Sequence, residues 1–332
     1  MPDQNPLVAN PRRLSGRKLL IAGGLIVAAL LSVPLWGSAN LMRTLVEFIT
    51  LLALAQMWNL LAGYAGMVSV GQQAWIGLGG YALIVFADDL KINLFLAVFL
   101  GGVVAALIAL PTAALVFRLR AGYFAIGTWV VAEVFRLLVA SSTDWLKGGS
   151  GRTLAAAGLI ERGLRENLTY WLAVVIGVGA VALVYYLMRS RTGLGLTAIR
   201  DSESAAASVG VDTNRIKLLV YVTCAFGTGV TGALIYLNVL RITPDASFTA
   251  QWTAFMIFIV VIGGIGTVEG PILGAIIFFF IREYLSNFGG WSLILLGLVA
   301  VIMMLVAPQG LWGIMQERFH LELFPVRRRL NN

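Results

Sequence analysis

The chain has 332 residues, of which 59% are hydrophobic and only 12% charged, with a net charge of +8 and a mean hydropathy of +0.88. A soluble domain carries about 25% charged residues, so a chain this poor in charge cannot cover a water-facing surface. A single cysteine, Cys224, excludes an intrachain disulfide; a single histidine, His320, removes most zinc and haem chemistry; and no soluble basic domain is available for nucleic acid.

Apolar runs long enough for a helix to cross hydrocarbon, about 20 residues, recur along the sequence. In chain order the spans are predicted at 19–36, 41–61, 68–87, 94–117, 123–140, 168–188 and 218–238, then an apolar stretch at 252–281 broken by "GGIGTVEGP", then 291–306. The runs do not alternate as barrel strands do. The fold class is therefore all-α: a polytopic helical membrane protein with about 9–10 transmembrane passes. The first run is read as a retained span, because its apolar length and polar leader suit one better than a signal peptide.

Lys and Arg accumulate on the cytoplasmic side of membrane proteins. With the N-terminus inside and "GGIGTVEGP" turning the chain round, most basic residues fall inside. They are Arg12, Arg13, Arg17 and Lys18; Arg118 and Arg120; Arg189, Arg191, Arg200, Arg215 and Lys217; and Arg318 with Arg327, Arg328 and Arg329. The expected organisation is a cytoplasmic tail at 1–18, a transmembrane domain at 19–308 and a basic cytoplasmic tail at 309–332, with a cytoplasmic loop at 189–217.

Polar residues inside the spans mark candidate sites. Ser69, Gln72 and Gln73 interrupt the third run, beside Gly71, Gly77, Gly79 and Gly80. Glycine-rich or unwound spans commonly mark transport paths; simple helix packing with a capped start at Ser69 fits the same residues. Glu133 is costly in a membrane and is a second path candidate, although Arg136 stands three residues on and could neutralise it. Arg43 and Glu47, four apart, allow the same pairing. Glu269 reads as a solvated turn residue or an interfacial contact. "GTGVTG", 227–232, matches a dinucleotide-site pattern in form only, because it lies inside an apolar helix rather than after a strand. Close packing through small residues is the better account. "GGSG", 148–151, reads as a turn in an external loop.

The loop segment "RTGLGLTAIRDSESAAASVGV", 191–211, is polar and rich in small residues between two long apolar runs. Residues 196–209 read as one short helix ending at Gly210, where glycine supplies a left-handed cap. Leu196, Ile199 and Ala206 would face one way, with Arg200, Asp201 and Glu203 elsewhere. An interfacial amphipathic helix and a docking helix for a soluble partner both fit. Small residues at 205–208 would allow close approach, and the charges would set register.

This segment resembles the cytoplasmic loop of the permease subunits of branched-chain amino acid ABC importers, the LivM type in particular. The pattern there is approximately R-x-G-R-A-L-x-A-I-R-[DE]-x-E-x-A-A-x-x-x-G-[IV]. Leu196, Ile199, Arg200, Asp201, Glu203, Ala205, Ala206 and Gly210 fall on it; Leu194 and Gly195 depart from it. "GYAGMVSVGQQAWIGLGGYA", 63–82, "GGIGTVEGPILGA", 263–275, and "APQGLWG", 307–313, are similar to three further family segments, in the same order.

The resemblance implies an ABC-importer permease fold in a bacterial inner membrane, multi-pass. It implies a second, different permease subunit, two separate ATPase subunits and a periplasmic solute-binding protein as partners, with no cofactor in this chain. The sequence agrees on one point independently, since it has no G-x-x-x-x-G-K-[ST] phosphate loop and so is not expected to be an enzyme. Residues 196–209 would be the coupling helix that an ATPase moves. Branched-chain or related amino acids are the implied solutes, with urea, short amides or another small organic solute as alternatives. An ion-gradient-driven secondary transporter is the competing class; only Glu47 and Glu133 are placed to serve as its buried acids.

Overall fold

The computed structural model describes residues 12–13, 16–120, 122–285, 291–307, 309–319 and 321–324. The ends of the two expected tails, 1–11 and 325–332, and His320 lie outside the described residues. Among the described residues fourteen α-helices follow in chain order: α1 Gly16–Trp36, α2 Ala39–Asn59, α3 Gln73–Ile84, α4 Leu94–Val116, α5 Gly122–Ser141, α6 Arg162–Arg189, α7 Arg191–Asp201, α8 Glu203–Ser208, α9 Thr213–Val239, α10 Pro244–Ser247, α11 Gln251–Gly263, α12 Glu269–Leu285, α13 Trp291–Val306 and α14 Gly310–Phe319. Sheet among the described residues is confined to two-residue pairs. Strand β1, Arg12–Arg13, runs parallel to β4, Leu321–Glu322, and β2, Arg152–Thr153, runs antiparallel to β3, Arg241–Ile242. Among the described residues, seven helices are long and apolar enough to cross a membrane.

Polar contacts gather at two ends of the bundle. At one end, Asp89 accepts two bonds from Arg152, and the Asp88 carboxylate caps the backbone N–H groups of Ala155 and Ala156. Hydrogen bonding to Asp89 raises the pKa of the Arg152 guanidinium and keeps this loop clamp charged. At the other end lie α7, α8, the turn between α11 and α12, and the β1–β4 pair.

Helix α2 is the central post. Ser38 caps its start by accepting from the Leu41 N–H at 3.2 Å, and its second half is buried all round. A helix apolar on every face belongs inside a bundle. Helix α1 is peripheral, and Pro34 inside it explains one of its contacts. Proline lacks the N–H that would bond the carbonyl four residues back. The freed Leu30 carbonyl instead accepts from the Tyr170 hydroxyl of α6 at 2.8 Å.

Helices α3, α4 and α9 cross at glycines. An added Cβ on Gly79 would overlap the Gly229 carbonyl, and one on Gly229 would overlap Ala105 and approach Gly102. Small residues let backbones approach this closely where lipid gives helices no hydrophobic reason to associate. "GTGVTG" is thus a packing face, as the sequence reading preferred.

Four expectations are corrected. The third span, expected as helix over 68–87, is helical only from Gln73; residues 65–72 form no helix because other partners take their backbone. The Thr128 hydroxyl accepts from the Val70 N–H at 3.2 Å, the Trp58 indole donates to the Ser69 carbonyl at 2.9 Å, and Ser69 Oγ accepts from the Gly71 N–H at 3.2 Å. Arg43 and Glu47 do not pair with each other. Arg43 reaches Glu166 and Glu47 reaches Arg282, each at 2.6 Å, because those cations and anions sit on neighbouring helices. Glu269 is buried rather than solvated, with its carboxylate accepting from the Phe324 N–H at 2.7 Å. The region after 309, expected as a tail, begins with α14, whose Trp312 is buried and whose Gly310 sits against the Gly264 backbone.

Candidate functional site

Two polar features stand out, one at an end of the bundle and one in its middle. The first is the α7–α8 segment. The expected single helix over 196–209 is two helices broken at Ser202. Ser202 has an extended backbone, φ −161° and ψ 109°, and closes α7 while opening α8. Its Oγ accepts from the Ala205 N–H at 3.3 Å, as serine does at an N-cap. Gly210, at φ +89°, ends the pair. The Val211 N–H bonds the Ala206 carbonyl and the Gly210 N–H bonds the Ala207 carbonyl, the double closure of a left-handed C-terminal cap.

Burial divides the segment as its apolar spacing suggested. Leu196, Ile199 and Ala206 are buried against the bundle. Gly195, one of the two departures from the family pattern, is also buried, and an added methyl would press on the Ile216 side chain. Asp201, Ser204, Ala205, Ala207 and Ser208 are exposed, and Val209 is 80% exposed. The result is a face of small side chains presented to the outside of the chain.

The charges behave less uniformly. Asp201 pairs with Arg200 at 3.4 Å while 72% of its side chain stays exposed. Glu203 bonds Lys217 at 2.6 Å, at the start of α9. Arg200, itself exposed, divides its guanidinium: Nε and Nη2 donate to Asp201 Oδ1 at 3.4 Å, and Nη1 donates to the Gly63 carbonyl at 3.3 Å.

The second feature is a polar seam in the middle of the bundle. Ser69, Gln72 and Gln73 are almost wholly buried. Gln73 meets Thr253, at the start of α11, twice: its N–H donates to Thr253 Oγ1 at 3.3 Å, and its Oε1 accepts from the same hydroxyl. Thr228 of α9 donates to Gln72 Oε1 at 3.4 Å, while the Gln72 amide nitrogen has no acceptor among the described residues. Two interrupted passes therefore meet at this seam. The pass through α3 is unwound below Gln73, and the pass through α10 and α11 is interrupted at 248–250.

Glu133 does not join this seam. Arg136 donates to both its carboxylate oxygens, at 2.6 to 3.0 Å, and also to Asp245 at 2.7 Å. The i,i+3 pairing seen in the sequence is the one that forms.

Sequence reasoning missed the clamp on the turn between α11 and α12. Asn59 Oδ1 accepts from the Gly266 N–H at 2.8 Å, its amide donates to the Thr267 carbonyl at 2.8 Å, and Gln56 donates to the Val268 carbonyl at 2.9 Å. The only signal available was two amides, Gln56 and Asn59, three apart near the end of an apolar helix. Helix α2 itself ends in a wider π-helical turn, Leu60–Tyr64, a distortion frequent at functional places. Among the described residues no group of His, Cys, Asp and Glu is arranged to hold a metal.

Comparison with known proteins is consistent with this architecture. Residues 40–308 match the family model described as branched-chain amino acid transport system / permease component. The high-affinity branched-chain amino acid transport system permease protein LivM of Escherichia coli is 27% identical over 289 residues, covering 80% of this chain and 68% of that protein. The LivM protein of Salmonella typhimurium is 26% identical over the same shares. The ribose import permease protein RbsC of Escherichia coli is 25% identical over 135 residues, 40% of this chain and 42% of that protein. No solved structure matches the chain.

Proposed function

The chain belongs to the branched-chain amino acid transport system permease family, and from that premise we propose that it is one membrane-spanning half of an ATP-driven importer. The end bearing α7 and α8 is cytoplasmic, in a bacterial inner membrane. A separate ATPase subunit seats on α7–α8, a second permease completes the pathway, and a periplasmic binding protein delivers the solute. Branched-chain or related amino acids are the solutes this reading favours, on the strength of two LivM relatives that each span most of the chain. The shorter similarity to a ribose permease favours the same machine with another small solute as the second reading.

The observation that carries the reading is the α7–α8 pair. It is anchored by Leu196, Ile199 and Ala206, yet turns outward a face of small residues that the chain leaves uncovered. A rigid element braced on the bundle and open on its far side is what a motor subunit needs in order to push.

The paired acids speak against an ion-driven carrier. Glu47 is bonded to Arg282 and Glu133 to Arg136, so neither stands ready to exchange a proton or cation. The seam supports a path that opens rather than a standing pore. Ser69, Gln72 and Gln73 are closed in here, and the unspent Gln72 amide is a donor that a passing polar solute would satisfy.

Ala205→Trp tests the docking face. Ala205 is exposed, so the change is expected to leave folding and thermal melting unchanged while blocking close approach of the ATPase. Co-purification of the ATPase subunits should be lost. Retention of a full complement of ATPase by this variant would contradict the docking role.

A further inference from the structure

Arg200 lies where the α7-side ends of the two broken passes meet. Its Nη1 donates to the carbonyl of Gly63, in the π-helical last turn of α2. Carbonyls in a last helical turn lack helical partners, and the C-terminal end of the helix dipole favours a cation. The methylene stem of Arg200 runs beside Gly66, where a Cβ would lie 3.5 Å from Cγ. Gly66 has φ +70° and turns the chain from α2 into the unwound stretch that carries Ser69 and Gln72. On its other side the guanidinium faces Gly266, where a Cβ would lie 3.2 Å from Nη1 and 3.2 Å from the Gly63 carbonyl oxygen. Gly266, at φ +74°, belongs to the turn that ends α11 and starts α12.

One side chain therefore touches both passes at one end, and the same two passes meet again at the seam. From Gly66 the chain runs to Gln73; from the Gly266 turn, α11 runs as a rigid helix back to Thr253. Gln73 and Thr253 bond each other. A displacement of α7 thus has two mechanical routes to a single polar contact. The side chain is well matched to the task, because a planar guanidinium can hold two backbone segments at once where an ammonium acts as a point.

We propose that Arg200 is a positioning residue that carries movement of α7–α8 to the Gln73–Thr253 contact, and that it does not form the docking contact with the ATPase. This rests on the importer reading above. It separates the segment into an outward face that binds, Ser204, Ala205 and Ser208, and an arginine, 37% exposed and also paired with Asp201, whose Nη1 reaches the bundle and transmits.

The test uses the complete importer in proteoliposomes, with its ATPase subunits, second permease and binding protein, and radiolabelled leucine as the probe. The readouts are ATPase content, ATP hydrolysis and leucine taken up per ATP hydrolysed. Arg200→Ala should keep the ATPases and their hydrolysis, while uptake per ATP falls about tenfold, within the range of a typical coupling between sites. Gly266→Ala, which displaces the guanidinium, should do the same, and Arg200→Lys should fall between. A merely structural role would instead lower hydrolysis and uptake together. The proposal is overturned if Arg200→Ala sheds the ATPases as Ala205→Trp does, if hydrolysis and uptake fall in parallel, or if uptake per ATP is unchanged. Should Arg200→Ala fail to fold, Gly266→Ala and Arg200→Lys decide by the same ratio. A wild-type complex with no ATP-driven uptake of any small solute would overturn the importer reading itself, and this one with it.

Discussion

Asn59→Leu is expected to unseat the turn between α11 and α12 and to lower the melting temperature of the purified chain sharply. Asn59 is fully buried, and its amide satisfies the Gly266 N–H and the Thr267 carbonyl together. Leucine matches its size but offers neither donor nor acceptor. Each backbone group left buried and unpaired costs about 1–3 kcal/mol. The loss is larger in effect than its energy suggests, because Gly266 also backs Arg200 and Gly264 backs Gly310 of α14. Thermal melting in detergent checks it; an unchanged midpoint would show that the turn is held by something other than Asn59.

Gly229→Leu is expected to prevent the bundle from closing. Helix α9 meets α3 and α4 at this position, with Ala105, the Gly102 Cα and the Gly101 carbonyl already in contact range of any side chain. Overpacking a tight core costs about 1–3 kcal/mol even for modest insertions, and here the obstacle is backbone on another helix, which cannot rotate away. The expected result is loss of the monodisperse peak in size-exclusion chromatography, with Gly229→Ala impaired less. A monodisperse, normally melting Gly229→Leu would contradict the close crossing.

The two substitutions also mark how far the sequence could be read. Apolar runs of spanning length revealed the passes, since a bilayer demands them and little else imitates them. The cap at Gly210, the buried side at Leu196, Ile199 and Ala206, and the turn at "GGIGTVEGP" were legible because each depends on residues close in sequence. The unwound start of the third pass was not. It is set by Thr128 and Trp58, whose hydrogen bonds to Val70 and Ser69 arise only once α2 and α5 pack around it. The break at Ser202 is local, and a serine after a helix end is a fair N-cap signal; the long run of small residues masked it.

The candidate site was legible in part. Ser69, Gln72 and Gln73 are buried within the bundle, whereas Glu133 stands apart with Arg136 and Asp245. Arg200 illustrates the limit most clearly. Its charge in the loop segment suggested a partner-facing residue; besides its neighbour Asp201, it reaches Gly63 and Gly266, which lie far off in sequence and offer only backbone. No pattern of charges along the chain could have announced that.

The measurement that bears most directly on the importer reading is solute uptake by the reconstituted complex with ATP on the ATPase side and no ion gradient. The reading predicts leucine uptake that needs ATP, the ATPase subunits and the binding protein, and that the chain alone does not perform. Uptake by the chain alone, driven by a proton or sodium gradient and indifferent to ATP, would contradict it.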